Sequence, residues 1–239
     1  RGHAVGHLHA EPAPAQRSVS TGGGATRLLA IRHGETDWNA TARIQGHTDI
    51  ALNATGRWQA ECLARALAAE PLEAVYTSDL VRARDTAAPL ARTTGAPLVH
   101  DAGLRERCFG RVEGATFDEI ERRWPDDAAR WRAREPDFTP GGGEPLAGFY
   151  ARCVAAVDRL ARAHRGGLIA LVAHGGVLDC LYRAANGAGL RAKREWPLAN
   201  ASINRLLHTD EGLVLLGWND VQHLGDGPQP DPLAGLQLP

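Results

Sequence analysis

Leu28-Leu29-Ala30-Ile31 runs without a break into Arg32-His33-Gly34-Glu35-Thr36. The apolar run has the composition of a buried strand, and the polar tetrad begins where that strand must end. In open α/β sheets, ligands bind beyond the carboxyl ends of the strands. A guanidinium placed there offers a planar fork matched to phosphoryl oxygens, and an imidazole can take phosphorus covalently. Arg32 and His33 are therefore the first candidates for a site that holds and attacks a phosphate.

Outward from this segment the same alternation repeats. Strand-length runs at 27–31, 74–76, 98–99 and 168–173 alternate with helical stretches at 55–69, 80–93, 146–163 and 177–185. Such alternation predicts right-handed βαβ units in an α/β three-layer sandwich, with a mainly parallel sheet and helices on both faces. Residues 202–208 and 213–218 flank a turn at Asp210-Glu211-Gly212 and are expected to form an antiparallel C-terminal edge. Residues 116–143 interrupt the rhythm with Trp124, Pro125, Trp131, Pro136 and a Gly141-Gly142-Gly143 hinge. This stretch reads as a helical cap insertion over the strand ends, because long insertions on a rigid sheet usually build binding surfaces. Each tryptophan, taken alone, is expected only to pack the cap down.

A chain of 239 residues, 44% hydrophobic and 23% charged, suits one domain at 26–224, flanked by flexible tails at 1–25 and 225–239. The formal charge of -1 gives no global pull toward nucleic acid or membrane, so attraction for an anion must be local. Cys62, Cys108, Cys153 and Cys180 are too widely spread for a zinc site or a disulfide framework. Reduced thiols and the lack of an apolar run near about 18 residues point to a cytoplasmic location. His3, His7 and His9 stand in a Gly/Ala/Pro leader with nothing to orient them as metal ligands. No metal and no cofactor are expected, and a homodimer is compatible with the chain.

The apolar run at 168–173 ends in His174-Gly175-Gly176, the same grammar as at His33. All strand carboxyl ends of a parallel sheet lie on one side, so His33 and His174 can converge across 141 positions (174 minus 33). Arg82 stands in the first turn of the helix after the second strand, where the helix N-terminus also favours an anion. A solvated position is the simpler reading of Arg84. Leu104-Arg105-Glu106-Arg107-Cys108-Phe109-Gly110-Arg111-Val112-Glu113-Gly114 follows the third strand and brings a carboxylate to the same rim.

Together these segments resemble the histidine phosphatase superfamily, the phosphoglycerate mutase-like fold, over about 27–223. The resemblance implies that His33 is the nucleophile, that Arg32, Arg82 and His174 surround the transferred phosphoryl group, and that Glu106 is the proton donor. It places Asn39, Gln45 and Gly46 against the phosphate or the substrate body, and Gly175 beside them. Phosphoryl transfer asks for positioning and cationic donors more than covalent help, so two guanidiniums and an imidazole can serve without a metal.

Hydrolysis of a small phosphorylated metabolite is the expected reaction, with mutase-type isomerisation as the alternative and a noncatalytic phosphate-binding module as a remoter one. Glu106 and His174 are 68 positions apart (174 minus 106), a short interval by comparison with related mutases. Phe117 occupies the position where such mutases carry a substrate-binding lysine, and with Phe109 and the cap tryptophans it suggests a less polar substrate. Val112 and Pro145 depart from residues common in the family, tryptophan and serine, and are expected to bear on the pocket.

Overall fold

The computed structural model describes residues 24–227. The greater part of both expected tails, with His3, His7 and His9, lies outside the described residues. Six strands form one sheet in the order β3-β2-β4-β1-β5-β6: β1 (Thr26–Arg32), β2 (Ala74–Thr77), β3 (Leu98–His100), β4 (Leu168–Ala173), β5 (Ile203–Thr209) and β6 (Gly212–Asp220). The first four run parallel, while β5 pairs antiparallel with both β1 and β6. The three-layer sandwich expected from the sequence is the observed architecture.

Strand β4 shows why the fold is layered. All six of its residues are buried, as a strand covered on both faces requires. Leu168, Ala170 and Val172 join a core with α2 (Ala54–Ala66) and α3 (Val81–Thr94). Ile169, Leu171 and Ala173 alternate onto the opposite face, against α6 (Leu146–Arg162) and α7 (Gly175–Asn186). In α6 the residues Phe149, Cys153, Val157 and Leu160 recur every three or four positions and make one buried stripe. A short helix, α1 (Asp37–Ala40), follows β1 and is closed by a reciprocal capping box between Thr36 and Asn39.

Two helices build the cap, α4 (Phe117–Arg123) and α5 (Pro125–Arg132). A separate small core of Ile44, Val112, Ile120, Ala128, Trp131 and Phe138 holds them. Here the structure corrects two expectations. Gly141-Gly142-Gly143 is not a free hinge: a Cβ on Gly141 would lie 2.4 Å from the Phe109 carbonyl, and one on Gly143 would lie 2.1 Å from that of Cys108. These glycines let two backbones pack face to face. Val112 and Pro145 do not line the pocket, because Val112 is fully buried in the cap core and Pro145 is the N-cap residue of α6.

Candidate active site

Strands β1 and β4 are neighbours in register, with Arg32 opposite Ala173, so the residue after each emerges beside the other. The His33 N–H continues the ladder and donates to the Ala173 carbonyl at 3.0 Å. As a result the rings of His33 and His174 lie 5.2 Å apart between centroids, tilted by 58°. Strand β2 pairs with the other side of β4, and the helix that follows it carries Arg82 to the same edge.

Nδ1 of His33 sits 2.7 Å from the Gly34 carbonyl. A carbonyl can only accept, so Nδ1 carries the proton and Nε2 of the neutral ring keeps its lone pair. Burial, then the positive charges of Arg82 and Arg32, hold this histidine well below the ordinary 6.5, and the Gly34 bond that opposes them is outweighed. His174 is displaced the same way, by burial first and then Arg82. Neither of its ring nitrogens has a protein partner.

The two arginines are aimed by backbone oxygens. Arg82 donates from Nη1 to the Thr48 carbonyl at 3.0 Å and from Nη2 to the Gly46 carbonyl at 2.7 Å, leaving buried Nε unpartnered. Arg32 donates from Nη1 to the Leu198 carbonyl and also keeps a buried, unpartnered Nε. Burial, with Arg194 and Arg82 adding repulsion, lowers Arg32 to about 10, which still leaves it cationic at neutral pH. Two desolvated guanidiniums with free donors form a standing demand for an anion.

Glu106 is tethered at both oxygens. Oε1 accepts from the N–H of Arg107 at 2.8 Å, and Oε2 accepts from the N–H of Gly176 at 3.0 Å. The second bond explains why α7 begins at Gly175, two residues before the expected start. The Gly176 N–H in its first turn anchors the carboxylate, and a Cβ at Gly176 would sit 2.2 Å from Oε1.

These groups open on a cavity of about 650 Å³. Of the nine residues singled out in the sequence, Arg32, His33, Asn39, Gln45, Gly46, Arg82, Glu106 and Gly175 line it, and His174 does not. His174 is fully buried, with its ring against that of His33. Gly46 serves chiefly through the carbonyl that holds Arg82. The Asn39 Oδ1 accepts from the Thr36 N–H and from Nδ2 of Asn200, which leaves its own Nδ2 as the part of the amide open to a ligand. Gln45 Oε1 accepts from the Thr36 hydroxyl at 2.9 Å.

Further residues support these groups. Asn200 Nδ2 donates to the His33 carbonyl at 3.0 Å. Thr86, one turn after Arg82 in α3, accepts from the Gly34 N–H at 2.9 Å and donates to the Arg82 carbonyl at 2.7 Å, coupling two phosphate-facing segments. Beyond the phosphate end, Trp38, Phe109, Phe117 and Trp131 form an aromatic wall, with Phe109 stacked on Trp131 at 5.1 Å. Trp131 thus both packs the cap and lines the cavity. Arg107, Arg134, Asp179 and Arg194 also line the cavity. Among the described residues no group of three or more His, Cys, Asp or Glu side chains could hold a metal ion, and no helix is long and apolar enough to cross a membrane.

The model of the histidine phosphatase superfamily (branch 1) matches residues 28–221. The chain is 38% identical over 202 residues to phosphoglycerate mutase-like protein 4 of Arabidopsis thaliana, covering 82% of this chain and 86% of that one. It is 37% identical to the metal-independent phosphoserine phosphatase of the same plant, covering 83% of each. Its fold matches that of a mycobacterial glucosyl-3-phosphoglycerate phosphatase with a TM-score of 0.72 at 33% identity, over 81% of this chain and 98% of that one.

Proposed function

The chain belongs to the histidine phosphatase superfamily, and from that premise we propose that it hydrolyses a small phosphorylated metabolite by two in-line transfers at His33, without a metal ion. One observation carries the reading: the Nδ1–H of His33 is committed to Gly34, so Nε2 is the nucleophile, and it is flanked by two cationic groups with unpartnered donors.

In the first step Nε2 of His33 forms a bond to phosphorus as the P–O ester bond breaks. Arg32 and Arg82 take up the charge on the equatorial oxygens, the role such clamps play in phosphoryl transfer. His174, with two free nitrogens against the His33 ring, shares those oxygens as the group arrives. Glu106 gives its proton to the departing alkoxide. In the second step water attacks the phosphohistidine, its proton passes to Glu106, and the P–N bond breaks to release phosphate. Each Glu106 oxygen accepts one N–H and keeps a second lone pair, so the carboxyl can exchange a proton without losing its anchors.

Phe117 argues for hydrolysis over isomerisation. Its ring meets Trp131 edge to face at 5.9 Å, so an apolar surface stands where the related mutases place a cationic substrate contact. Release of inorganic phosphate from phosphomonoesters should far exceed the interconversion of 3- and 2-phosphoglycerate primed by 2,3-bisphosphoglycerate. Faster isomerisation than hydrolysis would overturn the proposal.

A further inference from the structure

The cavity holds more unpaired positive charge than a phosphate requires. Arg32 and Arg82 match a dianionic phosphoryl group, yet Arg107 and Arg194 line the same cavity and form no ion pair among the described residues. Arg107 is accounted for structurally, donating to the Glu144 and Phe138 carbonyls at 2.8 Å each. Arg194 is not, because its Nε and Nη2 are buried with no partner.

Those two nitrogens form the side-on edge of the guanidinium, and the chain shows what that edge takes. Arg105 holds the two oxygens of Asp79 with Nε and Nη2 at 2.6 and 2.5 Å, and Arg152 holds those of Glu144 at 2.8 Å each. The vacant edge of Arg194 therefore fits a carboxylate. A floppy surface arginine is excluded by its loop. Trp196 stacks on Tyr182 at 4.0 Å with Arg183 over its ring, and the Pro197 carbonyl accepts from Nε1 of Trp218 at 2.7 Å. Beside Arg194, Asp179 gives Oδ2 to Arg134 and Arg183 at 3.2 and 2.9 Å, while its buried Oδ1 has no donor. The wall thus offers a fork for an anion and one acceptor for a donor group.

We propose that Arg194 binds a carboxylate on the substrate and that Asp179 Oδ1 accepts from a neighbouring hydroxyl or ammonium, so that the substrates are phosphomonoesters of small hydroxy or amino acids. This rests on the hydrolase reading and names its substrate class. One phosphate and one carboxylate would neutralise Arg32, Arg82 and Arg194, leaving the aromatic wall to the carbon skeleton.

Matched pairs test it: O-phosphoserine against O-phosphoethanolamine, and 3-phosphoglycerate against glycerol 3-phosphate, with p-nitrophenyl phosphate as a carboxylate-free reference. The carboxylate member should have a kcat/KM about 10- to 100-fold higher, the worth of a charge-assisted pair. Arg194→Met should erase that preference, and Arg194→Lys should restore part of it. Equal rates within each pair for the wild type, or an equal loss on both members in Arg194→Met, would overturn the assignment. Faster turnover of glycerol 1,3-bisphosphate than of 3-phosphoglycerate would overturn the choice of carboxylate. If no probe releases phosphate, the hydrolase reading fails by itself. Calorimetric binding of the same pairs then decides the subsite, which stands if an Arg194-dependent carboxylate preference persists and falls if it does not.

Discussion

His33 and His174 hold their rings 5.2 Å apart while both are buried and both are pushed well below the ordinary histidine value. Each directly follows one of two adjacent strands, which brings them together, and burial beside two arginines keeps them neutral. Neutrality is what the chemistry needs, since a protonated His33 would have no lone pair for phosphorus.

The same displacement fixes how stability responds to acid. Each folded-state value lies below the unfolded value near 6.5, so between the two the native state binds fewer protons than the unfolded chain. Stability is then fully present above about pH 6.5 and falls as pH drops toward the folded values, by up to about 1.4 kcal/mol per pH unit for each histidine. Urea unfolding at about pH 7 and pH 5 should show a steeper loss for the wild type than for His174→Asn. Equal slopes would mean that His174 is readily protonated in the native state.

Substitution of the proposed nucleophile separates covalent from direct hydrolysis. His33→Ala should abolish turnover, and acid-labile phosphate should appear on the wild-type protein during a burst but never on the variant. Near wild-type rates in the variant, with contamination excluded, would remove His33 from the mechanism.

Chelation should leave the rate within about twofold, because Arg32 and Arg82 already bring positive charge to the place proposed for the phosphate. Loss of activity in EDTA, restored by one divalent ion, would show that these groups are insufficient.

Legibility followed locality. His33 and His174 could be read from the sequence because each ends an apolar strand, and parallel topology carries both to one edge. Arg194, Asp179 and Asn200 could not, since they reach the site from α7 and the loop at 188–202 through contacts no periodicity encodes. The sole local signal for Arg194 was an arginine two residues before Trp196, the side chain that pins the loop. The helix expected from 177 starts two residues earlier: glycine disfavours helix interiors, yet α7 takes in Gly175 and Gly176. At a first turn that must admit the Glu106 carboxylate, the absent side chain outweighs that propensity. Gly141 and Gly143 misled in the same way: flexibility was inferred where close backbone packing was the reason for glycine.

Gly176 makes that reason measurable. Alanine there would place Cβ 2.2 Å from Glu106 Oε1 and force the carboxylate off its anchor. Gly176→Ala should lower kcat on an alkyl phosphate by about 10²- to 10⁴-fold, the range of general acid catalysis, with the far-ultraviolet spectrum unchanged. Wild-type turnover would show that Glu106 works without its α7 anchor.

Glu106 itself should matter in proportion to how poor the leaving group is. An alkyl phosphate needs its departing oxygen protonated, whereas p-nitrophenolate leaves largely unaided. Glu106→Gln keeps the side-chain shape and one carbonyl oxygen to accept from a backbone N–H, but it removes the proton that can be transferred. Phosphorylation of His33 by an alkyl phosphate should therefore slow by about 10²- to 10⁴-fold, with a much smaller effect on p-nitrophenyl phosphate. Single-turnover kinetics are required, because the same carboxyl serves the second step and a slow dephosphorylation would hide the contrast. Equal losses for both substrates would reduce Glu106 to electrostatic support and move the acid to His174, whose ring lies 5.2 Å from that of His33.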